Sequence, residues 1–386
     1  MPTTAPLADD PAVVQRILDH IDRKTTDLGD SSWREPVANY LDEGRFAAER
    51  ELLRRRPTAF CPSAALAEPG SYVARDAGGT PILAVRGSDG RVRAFKNACR
   101  HRGVQLAEGT GCVRAFSCRY HGWTYGLDGG LRHVPHEHGF PGLDKSTRGL
   151  AQVSAEERAG LVFVGQAEPQ TRQAAPLAEE LAALPELVPP DYRIAGSSER
   201  EIPANWKILV EGFLEGYHIR ATHPQTFYPI QYDNLNVVER FGPNNRITFP
   251  YQAVERQRAL APAERTADGK LTYVYQLFPN VLVATFPARI ILVVLEPLAI
   301  DRTCMHTFAL TNRAESDARA EAFVRRGTDL VDAGGKEDRD VACAIQRSLA
   351  SGANEFFEFG LFESAIVHFH RTLTAALAPQ TTASGS

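Results

Sequence analysis

The sequence predicts an α+β protein: an all-β module followed by a larger module in which long helices pack on one antiparallel sheet. Three observations carry this. A strand-and-turn texture begins at Pro57 and runs to Gly165, a stretch rich in Pro, Ala, Gln and Glu follows from Ala167 to Pro190, and a second run of strands is then closed by helical segments. The expected organisation is a helical segment at 1–54 packing on the larger module, the β module at 55–166, a linker at 167–190, and the larger module at 191–386.

The elements follow in order. Val13, Val14, Ile17, Leu18 and Ile21 recur at helical spacing, and Tyr40 to Leu53 is rich in Ala, Glu, Leu and Arg, so residues 11–55 read as helical. Short strands follow at Ser71–Ala74, Pro81–Val85 and Val92–Phe95. They are separated by Gly78-Gly79 and Ser88-Asp89-Gly90, and the last strand of the module is Gly160–Gly165. Beyond the linker the pattern predicts a helix over 206–218, β segments near 246–252, 271–277, 281–286, 289–296 and 303–311, and helices near 315–333 and 337–350.

Composition narrows the class. A chain of 386 residues has room for two or three domains with cores of their own. A net charge of −4 gives no broad electrostatic footprint for nucleic acid, and Arg54, Arg55 and Arg56 read as a solvated helix face. Met1 to Val14 has neither a basic nor an apolar leader region, and the apolar run Ile290–Leu295 is too short to span a bilayer, so the expectation is a cytoplasmic protein without membrane attachment. Six unevenly spaced cysteines do not resemble a disulfide framework. Cysteines that cluster with histidines therefore point to metal chemistry.

One such cluster is Cys99-x-His101, sixteen residues, then Cys118-x2-His121. Two thiolates and two imidazoles can hold a tetrahedral zinc or an iron–sulfur cluster. Zinc modules usually pair like ligands, whereas here each short loop supplies one Cys and one His, which suits two irons bridged by sulfide. Gly103 and Gly122 stand two and one residues after the histidines, where the chain must turn sharply. Cys112 reads as a buried or spectator thiol, and Tyr120 and Trp123 as packing around the cluster.

The second constellation is Glu215, His218 and His223. On one regular helix the two histidines would differ by about 140°, so the helix must break between them, as Pro224 also suggests. Glu215 shares a face with His218 and can reach its second ring nitrogen. Two histidines and one carboxylate form the facial triad of non-heme iron oxygenases. The third ligand must be distant: Asp338 and Asp340 are candidates, pointing roughly 200° apart on a late helix.

These residues together resemble a known family. "NACRHRG…CRYHGWTYGLDGGL" resembles the Rieske [2Fe–2S] domain of Rieske non-heme iron oxygenases, and "NWK…EGFLEGYHIRATHP" with "EDRDVACAIQ" resembles the catalytic domain of their oxygenase (alpha) subunits. The resemblance implies an all-β Rieske domain and a helix-grip catalytic domain. It makes Cys99, His101, Cys118 and His121 the cluster ligands, and His218, His223 and Asp338 the ligands of a mononuclear Fe(II). Glu215 becomes the electron bridge to a cluster histidine, His101 or His121, of a neighbouring subunit in a homotrimer. Gly212 departs from the pattern, since many members carry Asn there.

The implied activity is hydroxylation of an apolar or aromatic small molecule with O2. The alternative is a monooxygenase or demethylase acting on a quaternary ammonium or N- or O-methyl compound, to which Glu rather than Asp at position 215 is a pointer. A Rieske electron carrier and a ligand-binding module are remoter alternatives. No flavin- or nicotinamide-binding fingerprint is visible, so electrons are expected from a separate NAD(P)H-dependent reductase, with or without a ferredoxin. Arg100, Arg102 and Arg119 would suit an acidic partner. Phe227, Tyr228, Tyr232, Phe249, Tyr251, Tyr275, Phe278 and Phe286 are candidates for an aromatic-lined pocket, which could also accept a quaternary ammonium through cation–π contact.

Overall fold

The computed structural model describes residues 6–167, 184–312 and 318–378, with the side chains of 318–328 excepted. Two compact units emerge: Leu53–Ser197 with Phe308–Asn312, and Met1–Leu52 with Ser198–Thr307 and Arg313–Ser386. The N-terminal segment thus groups with the larger unit. It begins with α1 (Asp10–Arg23), capped by the Asp9 carboxylate, which accepts from the Ala12 N–H, and anchored through buried Val13, Val14, Ile17 and Leu18. The helical expectation for 11–55 is interrupted: β1 (Trp33–Pro36) intervenes before α2 (Glu43–Arg55) and pairs with a strand near the C-terminus.

The smaller unit contains β2 (Thr58–Pro62), β3 (Ser71–Ala77), β4 (Thr80–Arg86), β5 (Val92–Lys96), β6 (Gly109–Cys112), β7 (Phe116–Ser117), β8 (Thr124–Tyr125), β9 (Leu131–His133), β10 (Gln152–Arg158) and β11 (Leu161–Gly165). One sheet has the order β2-β11-β10-β5-β4-β3-β6, and β7-β8-β9 form a second. In β4, Ile82, Leu83, Ala84 and Val85 are all buried, as a continuous apolar run requires. The core joins both sheets through Phe95, Phe116, Trp123, Tyr125 and Leu131. Of the expected linker, 168–183 lies outside the described residues. Its end is not free: Leu187 and Val188 are buried, and their N–H groups donate to Ala159 O.

The larger unit holds β12 (Arg193–Ile202), α3 (Trp206–Glu211), α4 (Ile219–Thr222), β13 (Val237–Phe241), β14 (Asn244–Pro250), β15 (Leu271–Leu277), β16 (Val281–Phe286), β17 (Arg289–Ala299), β18 (Arg302–Thr311), α5 (Ala318–Leu349), β19 (Phe356–Phe359) and α6 (Ser364–Leu377). Its sheet has the order β12-β18-β17-β16-β15-β14-β13. Two strands of this sheet were not anticipated. β12 is an edge strand with almost no buried residue, and β13 is short, so neither shows apolar alternation. The two helices expected at 315–333 and 337–350 are one 32-residue helix over the described residues, running through Gly334-Gly335. The reason is packing: a Cβ on Gly334 would lie 2.3 Å from the Phe227 ring, so the helix tolerates a weak helix former to approach that ring.

The helix expected over 206–218 ends at Glu211 as α3, and α4 follows it only at Ile219–Thr222. Asn205 caps α3 by accepting from the Lys207 N–H, and its amide donates to Ile300 O. Behind it lies an ion pair taken wholly out of water, in which Lys207 Nζ sits 2.8 Å from Glu49 Oε2. Trp206 Nε1 and Arg45 Nε also donate to Glu49. Burial pulls Lys207 below its ordinary value and the Glu49 carboxylate pulls it back. Removing one member strands the other charge. Glu49→Ala is expected to destabilise the larger unit by about 3–5 kcal/mol, read as a lowered urea midpoint, whereas replacing the whole group by packed apolar residues should cost far less.

Candidate metal centres and active site

In the smaller unit, the two loops that carry the Cys/His motif share one backbone pattern. Cys99 N–H donates to Val104 O and Gly103 N–H to Cys99 O. Cys118 N–H donates to Trp123 O and Gly122 N–H to Cys118 O. Both glycines have positive φ, 81° and 71°, which closes each loop in a conformation costly for other residues. The loops bury both thiols and leave the imidazoles near the surface, with His101 Nδ1 3.1 Å from His121 Nδ1. Two Nδ1 atoms facing one another above two buried thiols fit a [2Fe–2S] cluster with mixed ligation.

Trp123 is buried and stacks on His101 at 5.0 Å between ring centroids, while Tyr120 lies exposed over His121. Tyr125 is a residue that the motif reading passed over. Its hydroxyl is 3.3 Å from Cys99 Sγ and accepts from the Arg100 N–H. Burial and the Cys99 sulfur raise its pKa, so it stays protonated and donates to the sulfur. Cys112 is exposed rather than buried, 3.7 Å from Pro69 O. Arg119 and Glu108 approach at the surface, and Arg102 donates to the Tyr120 hydroxyl.

In the larger unit, donor atoms of His218, His223 and Asp338 lie within 4.8 Å of one another. His218 stands at the start of α4 and His223 at its end, so one helical turn joins them, and the break expected between them lies instead before His218, between α3 and α4. Glu215 builds that break: its carboxylate accepts from the Tyr217 and His218 N–H groups and contacts His218 Nδ1. Asp338 Oδ1 is 3.6 Å from His218 Nε2 and 2.9 Å from His223 Nε2. His223 Nε2 is nevertheless buried without a hydrogen bond. That orphaned nitrogen, aimed with a second imidazole and a carboxylate at one point, fits a divalent metal. Asp340 points away and pairs with Lys336 at 2.6 Å on the exposed side.

Glu337 was not singled out by sequence, although it precedes Asp338. It accepts from His223 Nδ1 at 2.7 Å and from Thr226 Oγ1 at 2.6 Å. Each imidazole is thus held by a carboxylate on Nδ1 and presents Nε2 to the common point. Burial alone would lower both histidines, but the carboxylates outweigh it and hold them above the ordinary histidine value. Gln346, eight residues beyond Asp338, accepts from the Asn205 N–H and so ties α5 to the start of α3.

His218, His223 and Asp338 line a cavity of about 570 Å³ whose wall includes Phe213, Phe227, Phe249 and Phe286. Tyr228, Tyr232, Tyr251, Tyr275 and Phe278 are not among its lining residues. A second donor group, Glu199, Cys304 and His306, also lies within 4.8 Å. Ser198 and Arg200 of β12 and Met305 and Thr307 of β18 line the cavity, so by strand alternation this group lies on the sheet's other face.

Comparison with known proteins follows the same division. Residues 56–147 match the model of the Rieske [2Fe-2S] domain, and residues 189–378 that of the ring hydroxylating alpha subunit catalytic domain. The carnitine monooxygenase oxygenase subunit of Acinetobacter pittii (strain PHEA-2) is 34% identical over 212 residues, 53% of this chain and 56% of that protein. The glycine betaine monooxygenase oxygenase subunit of Chromohalobacter salexigens is 33% identical over 215 residues, 54% of this chain and 47% of that one. The chain spans about half the length of the curated relatives it matches. A crystal structure of a quaternary ammonium Rieske monooxygenase with L-carnitine shares the fold, with a TM-score of 0.73 at 22% identity over 96% of this chain and 99% of that one.

Two measurements check these geometries. Asp338→Ala should abolish retention of mononuclear iron and Asp340→Ala should leave it unchanged, while Glu337→Gln should weaken iron affinity by about 10–100-fold in a chelator competition. Tyr125→Phe should lower the cluster's midpoint potential, because a donor to the sulfur favours the reduced, more negative state. A bond worth about 1.4 kcal/mol corresponds to roughly 60 mV for one electron.

Proposed function

The chain belongs to the Rieske ring-hydroxylating oxygenase family, and on that premise we propose that it is a terminal oxygenase that inserts oxygen from O2 into a quaternary ammonium compound. The observation that carries this is the convergence of His218, His223 and Asp338 on the wall of a cavity lined by four phenylalanines. The relatives named for carnitine and glycine betaine supply the substrate class. An apolar aromatic substrate, the first reading of the sequence, gives way to the alternative on that account.

In this reading Cys99, His101, Cys118 and His121 hold the [2Fe–2S] cluster, and His218, His223 and Asp338 the mononuclear iron. When bound, the cluster supplies electrons singly and the iron supplies open positions at which O2 is activated. The protein's own contribution is positional. Glu215 and Glu337 accept hydrogen bonds from the Nδ1–H groups of His218 and His223, which keeps each proton on Nδ1 and leaves Nε2 free to ligate. The phenylalanine wall keeps water out and offers π-faces to a trimethylammonium group, each worth about 0.5–2 kcal/mol. Glu215 has a second task as the link to a cluster histidine, His101 or His121, of a neighbouring subunit in a homotrimer.

Electrons come from a separate NAD(P)H-dependent reductase, directly or through a ferredoxin, with Arg100, Arg102 and Arg119 as its docking charges. No helix among the described residues is long and apolar enough to cross a membrane, and a cytoplasmic setting suits a cluster with free thiol ligands.

The reading is tested by reducing the holoenzyme anaerobically, admitting O2 with glycine betaine, L-carnitine or naphthalene, and weighing the products. One added oxygen or loss of CH2 from an ammonium compound is expected. Two oxygens added to naphthalene, with the ammonium compounds untouched, would overturn it in favour of ring dihydroxylation. Glu215→Gln should weaken iron affinity as Glu337→Gln does, and with iron restored by excess Fe(II) turnover should still fall by about 10–100-fold.

A further inference from the structure

The donor group on the far face of the larger sheet is not used by either centre. β12 is the edge strand and β18 is its neighbour. Cys304 and His306 stand two residues apart on β18, so their side chains leave the same face, and Glu199 joins them from β12. One donor atom of each lies within 4.8 Å of the other two. All three residues belong to the larger unit. Ser198, Arg200, Met305 and Thr307, which alternate with them, line the substrate cavity, so the group sits directly behind that wall.

Geometry and donor chemistry agree on the kind of ion. His306 Nδ1 and Glu199 Oε2 are 3.5 Å apart, longer than a well-formed hydrogen bond. Two ligands of a tetrahedral zinc, each about 2.0–2.1 Å from the metal, stand about 3.3 Å from one another. A thiolate is a poor ligand for calcium or magnesium, which take oxygen, whereas thiolate, imidazole and carboxylate together suit zinc. Cys304 and His306 are buried, and Glu199 is exposed. The group is thus dry on one side and open on the other, with a route for the ion and room for a water ligand.

We propose that Glu199, Cys304 and His306 form a zinc site, with water in the fourth position, that ties the edge strand β12 to β18. As the ion binds, Cys304 gives its thiol proton to solvent and His306 ligates as the neutral imidazole, so affinity rises with pH. β12 buries almost none of its side chains, and the metal supplies at this edge the attachment that packing does not. It also stiffens the cavity wall, because the residues that alternate with the ligands face the substrate. The site is independent of which compound is oxidised.

The test is titration of the holoenzyme, loaded with cluster and mononuclear iron, with Zn2+ alone. After desalting, zinc and iron are counted together and the zinc is studied by X-ray absorption at its own edge. The expected result is a single retained zinc per chain, iron content unchanged, and one sulfur neighbour at about 2.3 Å. The iron triad has no sulfur, so zinc that had displaced the iron would show none and would cost iron. Glu199→Ala, at an exposed position where folding is not at stake, should weaken zinc binding by at least about tenfold, the loss usual for even a group behind a ligand. Cys304→Ser should remove the sulfur signal, and Cys112→Ser, which removes an exposed thiol of the smaller unit, should leave it intact. Zinc should raise the thermal midpoint of the wild type and not that of Glu199→Ala. No retained zinc, zinc without a sulfur neighbour, zinc binding undiminished in Glu199→Ala, or a sulfur signal lost in Cys112→Ser would each overturn the site.

Discussion

The larger unit is organised by one constraint: Asp338 and Glu337 must reach histidines that precede them by more than a hundred residues. A helix as long as α5 can do this only if it is held at fixed points. Gln346 accepts from the Asn205 N–H at one point, and Gly334 lets the helix settle against the Phe227 ring at another. Between them, Glu337 closes on His223 and Thr226. Asn205 is itself spent on several tasks, capping α3 and donating to Ile300 O. The buried Lys207–Glu49 pair then fixes α3 against the N-terminal segment. Loss of any of these anchors displaces a carboxylate that has no local reason to be where it is.

The two centres solve opposite problems. In the smaller unit all ligands come from two matched loops, so local backbone hydrogen bonds and two glycines suffice to shape the site. Thiols point inward, where burial protects them, and imidazoles outward, where an electron can leave. In the larger unit the ligands come from separate elements, and precision depends on carboxylates behind the imidazoles.

That difference explains what the sequence disclosed. Cys99, His101, Cys118 and His121 were legible because their spacing is local and their residue types are rare. The strands at 271–277 and 281–286 were legible because they are dominated by apolar, aromatic and β-branched residues. Strand β12 was not, since an edge strand exposes nearly all its side chains and shows no period. Two histidines five residues apart suggested a break between them, but Ile219–Thr222 is helical; the chain breaks before His218 instead, where the Glu215 carboxylate accepts from the His218 N–H. Glu337 and Tyr125 were missed because a supporting carboxylate or hydroxyl has no spacing of its own. Only the fold shows which nitrogen or sulfur it meets.

The charges of the cavity add an orientation to this picture. Glu215, Glu337 and Asp338 surround two imidazoles, so a divalent ion there leaves that end about one negative charge. In the proposed reading a cationic head would be drawn toward these carboxylates and an acidic group away from them, in a medium where screening is weak. The charge behind the iron ligands would therefore favour a methyl on nitrogen as the carbon beside the iron before any shape complementarity acts.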